Sequence, residues 1–496
     1  MNIYTAAQVR NWDAYTIEHE PIASIDLMER AAHTAMDELL QSKYSQKTFF
    51  VFCGNGNNGG DGLAVARMLH QIKWQVKIFI IESNKYSDDC TTNLQRAKDL
   101  NIPIKDIDGA EEFPLIPKDA IVVDALYGTG LSRPLDGIAS LLVEHINYHK
   151  GEIISIDIPS GLFADKCSVG NTIVKATTTL SFQTPKLAFF MAENSAYLGD
   201  WKILDIGLHN EYEEQTHADY QLLELPFIQS LVKPRPRFSH KYTYGHALLY
   251  AGSPGMYGAG ILCAKACLKT GVGLVSVVIE EKYLSIYQTT LPEAICITDW
   301  SNENIPVKKT AIGIGPGWSA ADAYSATAKQ VLLQNKLPLV IDATALQLIA
   351  DKAIEKQLAP CTIITPHVGE FERCFGTCNN DFERLELAIQ KAKELNIYIV
   401  LKGVYTIIAT PEDKAFFNNT GNAGMAKGGS GDVLTGLLTG LLAQGYSPLH
   451  TCLLGVYVHG LAGDIAAEAH SQYAMTAVDI IDAIGEAWKR LIEIPE

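Results

Sequence analysis

The chain has 496 residues, of which 47% are apolar and 19% charged, which is typical of a globular protein with large buried cores. At roughly 100–200 residues per domain, this length predicts two to four domains. The formal net charge of −16 argues against nucleic acid as a partner, because a phosphate backbone is usually met by a basic surface. Small phosphate compounds stay possible, since backbone N–H groups and a few local cations can hold them.

The sequence gives no sign of a membrane segment. It lacks the run of about 18 apolar residues that would indicate a membrane span. The first ten residues contain no apolar run of the signal-peptide type. We therefore expect a cytoplasmic protein without a membrane partner.

Ten cysteines form no disulfide framework. Cys263 and Cys267 are four residues apart, as are Cys374 and Cys378, so a four-thiolate zinc site is conceivable. Neither pair has the tight spacing of a structural zinc knuckle, and buried thiols explain them better.

The first half of the chain alternates β-rich runs with helical patterns, which predicts an α/β domain with a mostly parallel sheet. The predicted strands are 48–52, 76–81, 121–124 and 152–156. The first strand leads into Cys53-Gly-Asn-Gly-Asn-Asn-Gly-Gly-Asp-Gly62, in which five of ten residues are glycine. Close backbone approach and a following helix N-terminus suit a phosphate or pyrophosphate, although an Asn/Gly turn without a ligand remains the alternative.

Two more predicted strands of this half end in aspartates, Asp124 and Asp157, and glycine-rich segments follow both. One such aspartate could merely cap a turn. Two of them beside a third glycine-rich segment predict a site at the sheet edge. The oxygen ligands of Asn58, Asp124 and Ser160 suit a monovalent or hard divalent cation better than zinc.

Four motifs of this half resemble the NAD(P)HX epimerase family in the same order: Leu27–Ala31, Asn57–Gly62, Gly128–Leu131 and Ile156–Gly161. The resemblance covers about the first 210 residues. It implies a Rossmann-like fold that interconverts the R and S forms of NADHX and NADPHX, which are NADH and NADPH hydrated on the nicotinamide ring. It implies potassium bound by Asn58, Asp124 and Ser160, and Asp157 as the acid/base. The implied substrate contacts are Asn57, Asn58, Gly59, Gly60, Asp61, Gly128, Thr129, Gly130, Leu131, Ser132, Arg133, Pro134 and Asp157.

Composition indicates a domain boundary between a polar run near 213–216 and the proline-rich segment 233–237. We predict that it separates an N-terminal domain, residues 1–215, from a C-terminal domain, residues 225–496. The second half repeats the α/β pattern, with predicted strands at 247–251, 274–279, 311–314, 337–342, 362–365 and 397–401.

The clearest motif of the second half is Ala426-Lys-Gly-Gly-Ser-Gly-Asp-Val-Leu-Thr-Gly436. Its glycines precede a helix predicted to begin near Gly431, whose N–H groups could stabilise a phosphoryl group in transfer. Asp432 could take a proton from an attacking hydroxyl. A simple helix cap is the alternative. Lys402, before Gly403, suits a phosphate contact, and His367 could be structural, a base or a substrate contact.

These motifs resemble the ADP- or ATP-dependent NAD(P)HX dehydratases over roughly residues 235–490. The family implies a ribokinase-like fold, phosphorylation of the ring hydroxyl, loss of phosphate and a magnesium ion. Either ADP or ATP could be the donor, and family analogy favours ADP. Thr344 and Val368 stand where the family often has aspartate and proline. The implied contacts are Lys402, Gly403, Val404, Tyr405, Thr406 and Gly431 to the adenine nucleotide, and Ala259, Gly317, His367 and Asp432 to the hydrate.

Two other functions stay open from the residues alone. One is a ribokinase-like kinase of a small alcohol with a non-catalytic N-terminal domain, and the other gives the N-terminal domain only a nucleotide- or protein-binding role. The turn Thr365-Pro-His367 and the fusion of both halves favour repair over a simple kinase. The Asp157 turn and the complete 57–62 motif favour an enzyme in the first half. A homo-oligomer is expected.

Overall fold

The computed structural model describes residues 1–41, 44, 47–298, 310–319, 322–334, 336–350 and 355–492. It consists of two compact units. The N-terminal unit comprises residues 2–219 with 380–382, and the C-terminal unit comprises Met1, 220–379 and 383–496. Within the described ranges, no helix is both long and apolar enough to cross a membrane.

The N-terminal unit has strands and helices in alternation. Its strands are β1 (Asn2–Ile3), β2 (Thr48–Cys53), β3 (Gln75–Ile81), β4 (Ile104–Ile107), β5 (Ile121–Ala125), β6 (Ile153–Ile156), β7 (Thr178–Phe182) and β8 (Asp200–Leu204). Its helices are α1 (Ala6–His19), α2 (Ser24–Leu40), α3 (Asn57–Gln71), α4 (Asp88–Asp99), α5 (Gly137–Asn147), α6 (Ser195–Leu198) and α7 (Asn210–Gln215).

Seven of these strands form one parallel sheet in the order β4-β3-β2-β5-β6-β7-β8. The order runs outward from β2 in one direction and from β5 in the other, as in a Rossmann-like sheet. Phe49, Phe50, Val51 and Phe52 of β2 are all buried, because helices cover both faces of a parallel sheet. Ligands of such sheets bind where the order reverses, which here is the edge beyond β2 and β5.

The C-terminal unit also alternates strands and helices. Its strands are β9 (Tyr220–Leu222), β10 (His246–Tyr250), β11 (Leu274–Val278), β12 (Ile295–Ile297), β13 (Ala311–Ile314), β14 (Leu339–Ile341), β15 (Ile363–Ile364), β16 (Tyr398–Leu401), β17 (Thr406–Ala409) and β18 (Ala415–Asn418). Its helices are α8 (Leu225–Ser230), α9 (Tyr257–Lys269), α10 (Leu284–Thr290), α11 (Asp322–Gln334), α12 (Val368–Phe375), α13 (Asp381–Leu395), α14 (Ser430–Ala443), α15 (Pro448–Ala474) and α16 (Ala477–Ile492).

The strands of this unit lie in the order β9-β18-β17-β16-β15-β14-β13-β10-β11-β12. All neighbours from β16 to β12 are parallel, and β17 is antiparallel to both β16 and β18. The α/β class predicted from the alternating pattern is confirmed in both units. Cys263 and Cys267 of α9 lie in the apolar core of this unit.

Strand β9 pairs with β18 in register from Tyr220 to Leu222. A C-terminal fragment that begins at the predicted limit of 225 therefore lacks this strand, whereas the compact unit begins at 220.

Candidate active sites

The glycine-rich segment after β2 forms the first turns of α3, although its composition predicted a loop before the helix. Helix α3 begins at Asn57, directly after Gly56 as its N-cap. A Cβ at Gly59 would lie 2.0 Å from the carbonyl oxygen of Gly54, and one at Gly60 would lie 2.7 Å from the sulfur of Met28. Glycine is thus required for the helix to approach these neighbours closely.

A cavity of about 540 Å³ opens at the edge beyond β2 and β5. Side chains from α1, from the 126–133 segment and from the residues after β6 and β7 line it. The predicted contacts Gly59, Gly60 and Pro134 do not line it. Those that do are Asn57, Asn58, Asp61, Gly128, Thr129, Gly130, Leu131, Ser132, Arg133 and Asp157.

Asp157 follows β6 and has a φ of 67°, in the left-handed region that few non-glycine residues adopt. Its Oδ1 lies 3.1 Å from Nζ of Lys186, and its Oδ2 accepts a hydrogen bond of 3.3 Å from the backbone N–H of Thr129. Lys186 is buried and also donates to the carbonyl oxygens of Phe182 and Thr184 at 2.9 and 3.0 Å. A buried cation therefore holds the Asp157 carboxylate at the cavity wall.

Two of the other carboxyls that line this cavity have a raised pKa. Burial and, next, the charge of Asp157 raise the pKa of Asp13 to about 7, while Lys186 and Arg10 oppose the shift. Burial also raises the pKa of Asp61 well above its ordinary value, and Asp157 and Asp13 add to the effect. The cavity can therefore hold protons on carboxyl groups near neutral pH.

Sequence reasoning missed Asp13 and Lys186. Lys186 follows the end of β7 closely, so the rule that drew attention to Asp124 and Asp157 could have found it. Asp13 lies on α1 outside every motif, and no pattern marks it.

Of the three predicted ion ligands, Asn58 lines the cavity, whereas Asp124 and Ser160 do not. Asp124 is fully buried; its Oδ1 accepts from Ser160 Oγ at 2.6 Å, and its Oδ2 accepts from Ser155 Oγ at 2.8 Å. Burial raises the pKa of Asp124, and the hydrogen bonds from Ser160 oppose that shift most strongly. Asn58 is buried with neither amide atom hydrogen-bonded within the part of the chain that the structure describes. A buried amide without partners costs free energy unless a ligand satisfies it.

In the C-terminal unit, the sheet order reverses between β10 and β13, and the segments after these strands meet. Gly252 N–H donates to the Pro316 carbonyl oxygen, and Ser253 Oγ donates to that of Gly317, both at 2.8 Å. A Cβ at Gly317 would lie 2.7 Å from Cβ of Ala259. The structure thus brings the predicted hydrate contacts Ala259 and Gly317 side by side.

Lys402 does not extend into solvent but pairs with a buried carboxylate. Its Nζ donates to Oδ1 of Asp342 at 2.9 Å, and Oγ of Thr435 donates to Oδ2 of the same group at 2.7 Å. A Cβ at Gly431 would lie 3.4 Å from Nζ of Lys402, so these two predicted nucleotide contacts are neighbours. Asp342 directly follows β14. The expectation that site residues lie where parallel strands end, which pointed to Asp124 and Asp157, could therefore have identified it.

Helix α14 begins at Ser430, one residue before the predicted start, with Gly429 as its N-cap at a φ of 99°. The first N–H groups of a helix have no acceptor within it and can bind an anion. Asp432 lies in this first turn and has no hydrogen-bond partner among the residues described. Burial and, next, the charge of Asp342 raise the pKa of Asp432 to about 6, and Lys402 lowers it. Such a carboxylate is ionised at neutral pH and can accept a proton.

Both halves of the chain match family models. Residues 247–486 match NAD(P)H-hydrate dehydratase, and residues 24–188 match the YjeF-related protein N-terminus. The chain is 33% identical to the bifunctional NAD(P)H-hydrate repair enzyme Nnr of Moorella thermoacetica over 99% of this chain and 98% of that protein. It is 30% identical to the Escherichia coli enzyme of the same name over 97% of this chain and 93% of that one.

The chain belongs to the bifunctional NAD(P)H-hydrate repair enzyme family. These matches confirm the prediction of a two-domain repair enzyme.

Two solved structures resemble the C-terminal unit. An ADP/ATP-dependent NAD(P)H-hydrate dehydratase from Bacillus subtilis, co-crystallised with ATP/Mg²⁺, is 33% identical and matches 55% of this chain and 98% of its own, with a TM-score of 0.50. A ribokinase-like superfamily protein from Enterococcus faecalis is 28% identical and matches 56% and 98%, with a TM-score of 0.51. The predicted ribokinase-like fold is thereby confirmed.

The structure shows where the two residues that depart from the family motifs, Val368 and Thr344, are located. Val368 is the first residue of α12, where proline fits because no N–H bond is needed, so either residue suits the position. Thr344 lines a small cavity of about 140 Å³ with Glu370 and Arg373.

His367 is the N-cap of α12. The ring Nδ1 of His367 accepts a hydrogen bond of 3.2 Å from the backbone N–H of Glu370. The backbone N–H of His367 donates to Oε2 of Glu370 at 2.9 Å. This capping box is a structural role, and with 54% of the side chain exposed the ring remains open to a ligand. Val404, between Gly403 and β17, is 80% exposed.

Proposed function

We propose that the N-terminal unit epimerises the R and S hydrates of NADH and NADPH in the cavity beyond β2 and β5. The observation that carries this proposal is a set of charged side chains at the cavity wall. Lys186 pairs there with Asp157, and two carboxyls with a raised pKa, Asp13 and Asp61, lie nearby. The N-terminus of α3 and Arg133 suit the pyrophosphate of the dinucleotide. Asp157 acts as the base, because Lys186 and the backbone N–H of Thr129 fix its carboxylate at the cavity wall. The cavity-lining members of the predicted set contact the substrate.

We propose that the C-terminal unit dehydrates the S hydrate at the N-terminus of α14. The ring hydroxyl attacks the terminal phosphorus of ADP or ATP, Asp432 takes the hydroxyl proton, and the bond to the leaving nucleotide breaks. The carbon–oxygen bond then breaks as phosphate leaves; the ring nitrogen supplies electrons, and loss of a proton from the adjacent carbon restores the ring double bond. Ala259, Gly317 and His367 contact the hydrate.

Lys402 and Gly431 lie next to each other, and we propose that both contact the nucleotide, together with Gly403, Val404, Tyr405 and Thr406. No group of three or more His, Cys, Asp or Glu side chains among the described residues could hold a metal alone. Asp342 and Glu370 lie beside Lys402, and these two carboxylates would hold a Mg²⁺ ion that accompanies the nucleotide phosphates. When bound, Mg²⁺ neutralises charge that develops on the phosphates.

Separate expression of the two units tests both proposals. Apart from Met1 and residues 380–382, the two units divide at 219/220, so we expect fragment 1–219 to epimerise the hydrates without nucleotide. Fragment 220–496 should convert only the S hydrate to NAD(P)H, and only with ADP or ATP. Assays of both hydrates, with each nucleotide and without any, measure the two activities. A fragment 225–496 serves as comparison; it leaves β18 without β9 and should melt at a lower temperature. If neither fragment is active while the whole chain is, the two-site assignment is wrong.

We propose that potassium binds beside Asn58, Asp124 and Ser160. The buried amide of Asn58, which has no hydrogen-bond partner among the described residues, is the feature that fits an ion with oxygen ligands. Asn58→Ala removes no hydrogen bond to the described residues, unlike a change at Asp124. An interaction with a charged group is worth about 1.5–3 kcal/mol. The potassium concentration for half-maximal epimerase activity should therefore rise about tenfold or more.

The measurement is a potassium titration of epimerase activity in wild type and Asn58→Ala at constant ionic strength. Dehydration of the S hydrate by the same preparation serves as the control and should not change. Identical titration curves for the two proteins would contradict the site.

The acidic charge of −16 supports small-molecule substrates rather than nucleic acid as partners. A cytoplasmic location, the absence of a membrane partner and a homo-oligomeric state stay predictions, which cell fractionation and light scattering test.

A further inference from the structure

Asp13 of α1 lines the proposed epimerase cavity. Helix α1 is anchored by other residues: Trp12 Nε1 donates to the His209 carbonyl oxygen at 2.9 Å, and Oδ2 of Asp165 accepts from the Ala6 N–H at 2.7 Å. Asp13 itself makes no hydrogen bond or ion pair within the described part of the chain, yet it lines the cavity. A partly buried carboxyl without a partner lowers stability, so its position calls for a ligand.

The charged groups that face Asp13 come from several elements. Asp157 and Asp61 repel its ionised form, and Lys186 and Arg10 attract it. Arg133 and Asp89 also line the cavity, and Asp165 lies near Lys186. Burial outweighs the two cations, so Asp13 carries a proton for much of the time at neutral pH. Asp157, in contrast, lies 3.1 Å from the ammonium of Lys186.

The chemistry of the hydrate requires two such groups. Hydration of the enamine in the reduced ring puts the hydroxyl on the carbon next to the ring nitrogen. Inversion at that carbon can occur by opening the ring. A base takes the hydroxyl proton, the carbon–nitrogen bond breaks as a carbonyl forms, and the nitrogen receives the bond's electrons and a proton from an acid. After the aldehyde rotates, the nitrogen attacks its other face and returns its proton to the acid, and the oxygen regains a proton from the base. No oxidant or reductant is needed.

We propose that Asp13 is the general acid of the epimerase, donating its proton to the ring nitrogen as Asp157 removes the hydroxyl proton. The inference rests on the proposed role of Asp157 as base. It assigns the two halves of the proton transfer to two carboxyls of this cavity that differ in their partners: Asp157 is paired with Lys186, whereas Asp13 has no hydrogen bond or ion pair among the described residues.

The test is Asp13→Asn in the full chain, with Glu18→Gln as the matched control. Glu18 lies on the same helix and is exposed outside the cavity. Epimerisation of the R hydrate is measured from pH 5 to 9 after subtraction of the rate without enzyme. Wild-type kcat/KM should fall as pH rises through about 7, because the acid loses its proton. Asp13→Asn should lose about 10²-fold or more in kcat/KM, and the residual activity should no longer fall on the alkaline side.

Thermal unfolding separates a catalytic from a structural role. The pKa of Asp13 in the folded protein lies above its unfolded value, so its ionisation costs stability increasingly from about pH 4 to pH 7 and fully above that. Asp13→Asn should therefore not lower the melting temperature at pH 8. Unchanged kcat/KM, a retained alkaline fall, or loss of activity together with a lower melting temperature at pH 8 would overturn the inference. Failure of the proposed function would be seen instead as absence of epimerisation in wild type.

Discussion

Asp432→Asn should lower turnover of the S hydrate by about 10²–10⁴-fold, the usual cost of losing a general base. The hydroxyl is a weak nucleophile, and its proton must leave as the phosphoryl group arrives. Asp432 lies in the first turn of α14, beside the N–H groups that can hold that phosphoryl group. Asparagine keeps the shape of the side chain, so substrate and nucleotide affinities should change far less than turnover.

The pH dependence gives a second measure of this role. The base works in its ionised form, so wild-type kcat/KM for dehydration should fall as pH drops through about 6, the pKa of Asp432. Asp432→Asn should lack this fall. The measurement is NAD(P)H formation at saturating ADP or ATP between pH 5 and 8.

Two controls limit the interpretation. Glu486→Gln removes an exposed carboxylate from α16 of the same unit and should behave as wild type. Epimerisation by the same Asp432→Asn preparation should be unchanged. Dehydration near the wild-type rate would remove Asp432 from the mechanism, and loss of both activities would indicate misfolding.

Much of both sites follows from sequence because parallel strands bring their carboxyl ends to one edge. Asp124 and Asp157 are far apart in the chain, yet Asp124 lies near the end of β5 and Asp157 directly follows the neighbouring strand β6. The same rule, applied to β14, would have identified Asp342 as the partner of Lys402. Such positions depend only on where parallel strands end, which the alternating pattern predicts.

Other features depend on packing that no local pattern records. The glycines of the 57–62 segment favour a turn by composition, yet they are helical because α3 packs closely against Gly54 and Met28. Asp13 reaches the cavity only because tertiary contacts place α1 there. The three-residue strand β9 and the hairpin of β17 and β18 lie outside the predicted strands, since such short elements carry little periodicity.

The charge partner of Lys402 decides what a substitution at this residue can test. Its ammonium is 2.9 Å from Asp342, whose carboxylate is almost fully buried. Removal of one member of a buried pair leaves an uncompensated charge, which costs about 3–5 kcal/mol. A change at Lys402 would thus affect folding as well as nucleotide binding, whereas Asp432 has no hydrogen-bond partner to lose among the described residues.

Asp157→Asn should abolish most of the epimerase activity, with a loss of about 10²–10⁴-fold in kcat/KM, because it removes the proposed base. Asparagine suits this position better than alanine. It tolerates the left-handed conformation that Asp157 adopts at a φ of 67°, so the backbone can keep its path. Lys186 loses its charge partner but keeps its hydrogen bonds to the carbonyl oxygens of Phe182 and Thr184.

The measurement is conversion of the R hydrate by full-length Asp157→Asn, followed through the dehydratase with excess nucleotide. Direct dehydration of the S hydrate by the same preparation should match wild type, because Asp432 and its surroundings lie in the other unit. Asp119→Asn, an exposed change just before β5, is the matched control and should keep both activities. If Asp157→Asn epimerises at the wild-type rate, the base is another group at this cavity, and the carboxylate held by Lys186 serves only to position the substrate.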